Sequence, residues 1–354
     1  MHVRRTLFVE KLQVVATAAL ALGLVYWVIQ SWFIPSDPLQ PMVFLPDGGL
    51  GKLLLVGVVL WVLAAVASLT TTLSRPTGSL ATVLIALGGL SLRSHPMRPL
   101  VWSNDGSMSG IFIQMIVEVL LMGVMLGVAM MIIICLRRLV ARISPRLMWC
   151  DKLGNLTGDQ IQTLENANSK FNPSWGLKDP VMGYFFKRVR QESGDAKGQK
   201  TSKSAQARQR EQLHRAGACL MAGIAIGILL LSLLLRSTAR GQVVFALFAA
   251  FMLAQIIAQQ LYPTRSIFIA CVTPLIAAIL VYALGAYAGS NGEADFWAVL
   301  APQFQALPID WLTAATGGSV LGLWTSDRMR EIRVSEILVS EADHSPADDG
   351  VVRT

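Results

Sequence analysis

Long apolar runs almost free of charge recur along this chain, and they constrain its fold more than any other feature. A run of about 18 or more such residues can cross the ~30 Å hydrocarbon core of a bilayer as a helix. Six stretches reach that length: Leu12–Ile34, Leu53–Leu73, Ile111–Leu136, Ala216–Leu235, Gln242–Leu261 and Ile267–Ala288. Two shorter ones, Leu80–Leu92 and Asp310–Trp324, fit either a crossing or a re-entrant segment. Charged residues are 15% of the sequence and hydrophobic residues 53%. Ordinary soluble domains carry about 25% charged residues, so a soluble fold of this length would lack its charged skin. The first run is 23 residues long and its A-x-A matches lie inside it. It therefore reads as an uncleaved span rather than a signal peptide. Trp32, Trp102, Trp311 and Trp324 sit near run ends, where aromatic rings anchor at the interface.

Charge placement sets the expected topology. Arg4, Arg5 and Lys11 put the N-terminus in the cytoplasm under the positive-inside rule. Were Leu80–Leu92 not to cross, Arg137, Arg138, Arg142 and Arg146 would fall outside; if it crosses, that cluster is cytoplasmic. The cost is that Arg93, Arg98, Arg236 and Arg240 then face outside. The acidic loop with Glu293 and Asp295 falls outside, and Arg328, Arg330 and Arg333 fall inside. The expectation is an all-α, polytopic helical protein of a bacterial-type inner (plasma) membrane, with about eight transmembrane helices and both termini cytoplasmic. Residues 1–136 form one membrane half of four spans and 216–335 the other. Between them lies a basic cytoplasmic segment, 137–215, and an acidic tail of disordered composition follows at 336–354.

The formal net charge of +8 is misleading as a global number. Arg137 to Arg215 holds 16 Lys/Arg against 7 Asp/Glu, or +9, leaving 14 against 15 elsewhere. Basicity confined to one segment speaks for topology and for docking, to anionic lipid headgroups or a protein partner, more than for nucleic acid. Up to about Arg190 the segment carries Trp149, Trp175 and Tyr184-Phe185-Phe186, which suits a small ordered unit or an apron on the membrane surface. Gln191 to Gln212 has the composition of a linker.

Two phrases recur between the halves. Pro76-Thr77-Gly78-Ser79 precedes the third span of the first half, and Pro263-Thr264-Arg265-Ser266 its counterpart. The fourth spans share Gly-x-x-Leu-Gly, at Gly123/Gly127 and Gly318/Gly322. Halves of four spans share one orientation, so a duplication would give a parallel repeat about an axis normal to the membrane. Chance matching in a low-diversity apolar alphabet is the competing explanation.

These glycine pairs, with Gly223/Gly227 in the fifth span, each put two small residues on one helix face, where another backbone can approach closely. Such faces suit packing within the chain or with a second copy. Glu118 is the sharpest polar residue, inside the fourth span with Gln114 one turn before it. It reads either as a proton or cation site or as an acid hydrogen-bonded to a neighbouring helix, with Gln30 and Thr313 at a suitable depth. No Lys, Arg or Asp lies deep in another span to complete a relay, which favours the second reading. Gln255 and Gln259, four apart in the sixth span with Gln260 beside them, can glue helices or line a polar path. Pro274 breaks the seventh span's hydrogen-bond ladder and frees a carbonyl near Ala270.

Cys135, Cys150, Cys219 and Cys271 have no paired spacing, the four histidines no metal-ligand spacing, and no cofactor motif is present. His95 and Asp105 share one outer loop, which is too little for an acid–base pair. Three function classes remain. A membrane scaffold or complex subunit fits the glycine faces, the scarcity of intramembrane charge and the basic segment. A transporter or channel would use Glu118 and the Gln255/Gln259 face. An enzyme would need a polar constellation the sequence does not display, so no enzymatic activity is expected.

Overall fold

In the computed structural model the described residues are 2–33, 41–45, 49–71, 76–95, 97, 108–143, 201–237, 239–264, 266–290 and 302–329. Their regular structure is entirely helical. In chain order the helices are α1 (His2–Trp27), α2 (Leu50–Thr70), α3 (Pro76–Arg93), α4 (Met108–Ile143), α5 (Thr201–Leu234), α6 (Arg240–Leu261) and α7 (Ile267–Ser290). The last, α8, runs over 308–329; it opens at Pro308–Asp310 and passes through a π-helical turn at Trp311–Ala315. Residues 1–150 and 214–326 form one compact unit. The second unit comprises 151–213 and 327–354, described only over 201–213 and 327–329. The expectations for the aromatic part of the central segment, for Glu293 and Asp295, and for the acidic tail lie outside the described residues.

Among the described residues six helical stretches are long and apolar enough to cross a membrane, at Leu12–Trp32, Leu50–Thr70, Ser109–Val140, Leu213–Leu234, Arg240–Leu261 and Ile267–Gly289. They mark the chain as a membrane protein, and they coincide with the six long runs of the sequence. The two short runs became α3 and α8, which fall outside that set and are the most enclosed helices of the unit. Buried residues include nearly all of α3 from Thr77 to Ser91, and every residue of α8 from Pro308 to Val320.

The neighbours explain the enclosure. α3 packs on α8, α8 on α7, α7 on α4 and α4 back on α3, closing a four-helix ring. α1 lies along α3, α2 against α4 and α3, and α6 against α8. α5 reaches α7 through Gly223 beside Thr273, and α6 through Gly227 beside Phe251. In α2 both faces are apolar, so hydropathy alone cannot say which turns inward. Size helps sort them: Gly57, Ala64 and Ala67 are buried alongside Leu53 and Leu60, while Leu54, Val58, Val62 and Val66 are exposed. Without a hydrophobic drive between helices in lipid, close van der Waals approach at small residues favours that choice.

Polar ties collect at the two ends of this bundle. One end holds Ser91 at the close of α3, Arg240 at the start of α6 and Asp310 at the start of α8. The other holds Thr71 after α2, Ser79 near the start of α3 and Arg137 in α4. Glu118 to Arg137 and Arg240 to Gln259 are each 19 residues apart, about 28 Å of helix. That distance approaches the thickness of a hydrocarbon core.

Candidate functional site

Glu118 sits in the first third of α4 and is fully buried. Its Oε2 accepts the backbone N–H groups of Phe44 at 3.1 Å and Leu45 at 3.3 Å. Residues 41–45 lie between α1 and α2, and Met42, Val43 and Phe44 are buried although their backbone is not helical. Buried irregular backbone needs acceptors for its N–H groups. Glu118 supplies two, Ser94 Oγ takes Met42 N–H at 2.9 Å, and Phe44 meets Phe33 edge-to-face. The partners expected from depth do not serve: Thr313 donates to Ile309 O within its own helix, and no contact joins Gln30 to Glu118 among the described hydrogen bonds. Gln114 is exposed and does not join Glu118 inside the bundle.

At the same end a buried ion pair joins α6 to α8. Arg240 donates through Nη1 to Asp310 Oδ2 at 2.8 Å and through Nη2 to Oδ1, while Nη2 also meets Ser91 O at 2.9 Å. Ser91 Oγ donates to Asp310 Oδ1, and Leu307 N–H to Oδ2 at 2.7 Å. Asp310 thus caps the first turn of its own helix while holding the guanidinium in a two-pronged grip. The sequence offered only a blemish here, an arginine on the wrong side; the structure supplies its counter-charge. Arg93 is accommodated differently, over the ring of Tyr26 at 4.5 Å. Just beyond Asp310 the π turn lets Thr316 Oγ1 reach Trp311 O at 2.8 Å, with Trp311 edge-on to Phe251. Nearby, Tyr282 of α7 donates to Ala306 O at 2.6 Å.

At the opposite end Arg137 is buried and donates to Thr71 O at 3.4 Å and Ser79 Oγ at 3.1 Å. Both recurrent Pro-Thr-x-Ser phrases work at this end. Ser79 of the first bonds Arg137 and, at 2.7 Å, Thr71 Oγ1. Thr264 of the second accepts from Gln259 Nε2 at 3.0 Å and returns its backbone N–H to Gln259 Oε1 at 3.1 Å. Gln259 is therefore consumed in tying the α6–α7 turn, and Gln260 donates to Ser326 of α8 at 3.3 Å.

Gln255 behaves differently. Ser319 Oγ of α8 lies 2.6 Å from Ala270 O and 3.4 Å from Gln255 Oε1. Ala270 O is the carbonyl freed by Pro274, so a side chain from the neighbouring helix takes over the lost bond. A hydroxyl has one hydrogen, and the shorter contact claims it. The Gln255 amide then satisfies Ser319 best with its NH₂ turned toward Oγ, an assignment made on hydrogen bonding.

The glycines divide. A Cβ on Gly318 or Gly322 would run into the backbone carbonyls of Phe248 and Met252, so α8 and α6 touch backbone to backbone there. A Cβ on Gly223 would come 2.9 Å from Thr273 Cγ2, and one on Gly227 2.7 Å from the Phe251 ring. Gly123 faces Leu275 at 3.3 Å, whereas a Cβ on Gly127 meets nothing within 4 Å. The two Gly-x-x-Leu-Gly phrases are thus used unequally.

Chemically, these groups bind helices and turns to one another. Among the described residues no three His, Cys, Asp or Glu side chains gather to share a metal ion. Asp310, Arg240, Ser91, Arg137 and Ser79 escaped the sequence reading as a set. The available signal was an acid and an arginine at the same expected depth, Asp310 opening one run and Arg240 another. Comparison with known protein families, with curated proteins and with solved structures finds no match to this chain.

Proposed function

We propose that the chain is an eight-span inner-membrane protein acting as a scaffold or subunit of a larger complex, docking a partner through its basic segment 137–215. Eight spans are supported by the path of the two short helices. α3 runs from Ser79, in the Arg137 layer, to Ser91, in the Asp310 layer; α8 runs from Asp310 to Ser326, which meets the end of α6. The Arg137 end, with Arg138 and Arg142 beyond it, is the cytoplasmic side, which also holds both termini. A parallel four-plus-four repeat draws support from neighbour relations. Exchanging helices with their counterparts in the other half turns the α3–α8 contact into α7–α4, α2–α4 into α6–α8 and α3–α4 into α7–α8, and these pairs pack together, whereas the packing of α2 on α3 has no equal between α6 and α7.

The observation that carries the scaffold reading is the setting of Glu118. A carboxylate serving a transport path needs water or substrate on one side, whereas this one is buried and its Oε2 is occupied by the backbone N–H groups of Phe44 and Leu45. Gln259, the second polar candidate for a path, closes its own turn. The test is purification of the full chain in mild detergent with identification of co-eluting proteins. A stoichiometric partner is expected, lost when residues 151–200 are deleted while the bundle stays folded. A chain that elutes alone, with Glu118→Gln abolishing a measured solute or ion flux, would overturn the scaffold in favour of a transporter.

A further inference from the structure

We infer that the cytoplasmic end of α4 carries a binding site for the phosphate of an anionic phospholipid, formed by Arg138 and Arg142. The depth of this site is set by Arg137. That side chain is buried and fastened to Thr71 O, just past the end of α2, and to Ser79 Oγ, in the first turn of α3. Two neighbouring helices therefore end or begin at the level of Arg137, which places it at the edge of the hydrocarbon layer. Of these three helices α4 is the one that continues, and Arg142 lies five residues further on, about 7 Å along the axis. That advance takes its guanidinium into the headgroup layer.

Arg137 and Arg138 are adjacent in sequence but differ in use. Arg137 turns into the bundle; Arg138 and Arg142 are exposed. They stand four residues apart, so they share a helix face and can close on one phosphate from two sides. Among the described residues neither has a hydrogen-bond or ion-pair partner, unlike Arg137 or Arg215. The choice of a lipid over a soluble anion follows from what lies beside them. Leu139 and Ile143 are exposed at 52% and 75%, with Met131 exposed two turns below on the same helix. An apolar strip leading from the bilayer to a pair of exposed guanidiniums matches a molecule with acyl chains below and a phosphate above. The long arginine stems suit that position, lying along apolar surface with the charge in the headgroups.

The inference rests on the membrane-spanning reading with the Arg137 end cytoplasmic, and is independent of the docking role. The full chain is reconstituted in nanodiscs of equimolar phosphatidylglycerol and phosphatidylcholine, extracted gently, and weighed with its retained lipids by native mass spectrometry. Wild type should retain phosphatidylglycerol preferentially. Arg138→Gln/Arg142→Gln should bind it roughly thirty-fold more weakly, from about five- to sixfold per cation. Arg138→Lys/Arg142→Lys should keep most of the preference, and Arg236→Gln, exposed at the opposite end, all of it. Circular dichroism checks that the variants remain helical. Equal retention of the two lipids by wild type, or an unchanged preference in the double Gln variant, overturns the site. Binding of inorganic phosphate that depends on both arginines, with no lipid preference, assigns it to a free anion instead. A chain that passes this test yet co-purifies with no partner removes the scaffold reading alone.

Discussion

α2 and α3 are consecutive helices of similar length, yet they solve opposite problems. α2 is apolar around its whole circumference, and one side, through Leu54, Val58, Val62 and Val66, stays exposed. α3 carries Thr77, Ser79, Thr82 and Ser91 and is buried almost throughout. α8 extends the contrast: it opens on a buried aspartate and contains Thr313, Thr316, Ser319 and Ser326, all buried. Hydropathy reports what a helix shows to lipid. A helix wrapped by others shows lipid little, so it can be shorter and more polar where its polar groups find partners, as Ser79, Ser91, Asp310 and Ser319 do. The weakest spans by composition are thus the most central by position.

That contrast is open to attack at three points. The largest effect should come from the ion pair. Asp310→Asn leaves the Arg240 guanidinium uncompensated between helices, and loss of one partner of a buried pair costs about 3–5 kcal/mol. Arg240→Leu combined with Asp310→Asn should recover most of it, and the double-mutant cycle of these two changes on unfolding in mixed micelles would read the coupling. If either single change proves as mild as the double, the central helices do not depend on their polar partners.

Second comes the backbone contact of α8 with α6. Gly318→Ala has to push the helices apart at the Phe248 carbonyl, an overpacking cost of about 1–3 kcal/mol. Gly127→Ala, with open space around it, should not lower thermal stability and should raise it by up to about 1 kcal/mol. Equal effects would erase the distinction between an enclosed helix and a peripheral one. The smallest expected loss of stability is that of Ser319→Ala, which strips the Ala270 carbonyl of its donor. Interhelical hydrogen bonds in membranes average about 0.6 kcal/mol, so a loss near that size is expected in the same assay. A neutral result would mean that Pro274 is tolerated without help from α8.

Much of the architecture is legible in the residues alone. The six long runs give six long helices at nearly the same bounds, because a lipid-facing helix has to be apolar over its whole length. The carbonyl freed by Pro274 was locatable to Ala270 from covalent geometry, since a proline removes one defined bond. The polar sites were harder. Glu118 was identifiable as a buried acid, but its partners are backbone groups of residues 44 and 45, which carry no side-chain signature. Arg240 looked like an outward charge and Asp310 like the ragged start of a short run. Their pairing depends on α6 and α8 being neighbours, and so do the unequal roles of Gly127 and Gly318.

The sequence by itself therefore determined membrane residence, the long helices and the places where helices can approach or must break. These properties are local, set by run length, residue size and backbone chemistry. Tertiary structure alone decided which helices occupy the centre, which arginines are neutralised and which polar side chains are consumed in holding turns. A buried polar group is defined by the groups it meets, and those lie 70 residues apart in the case of Arg240 and Asp310, beyond any pattern a single stretch of sequence can carry.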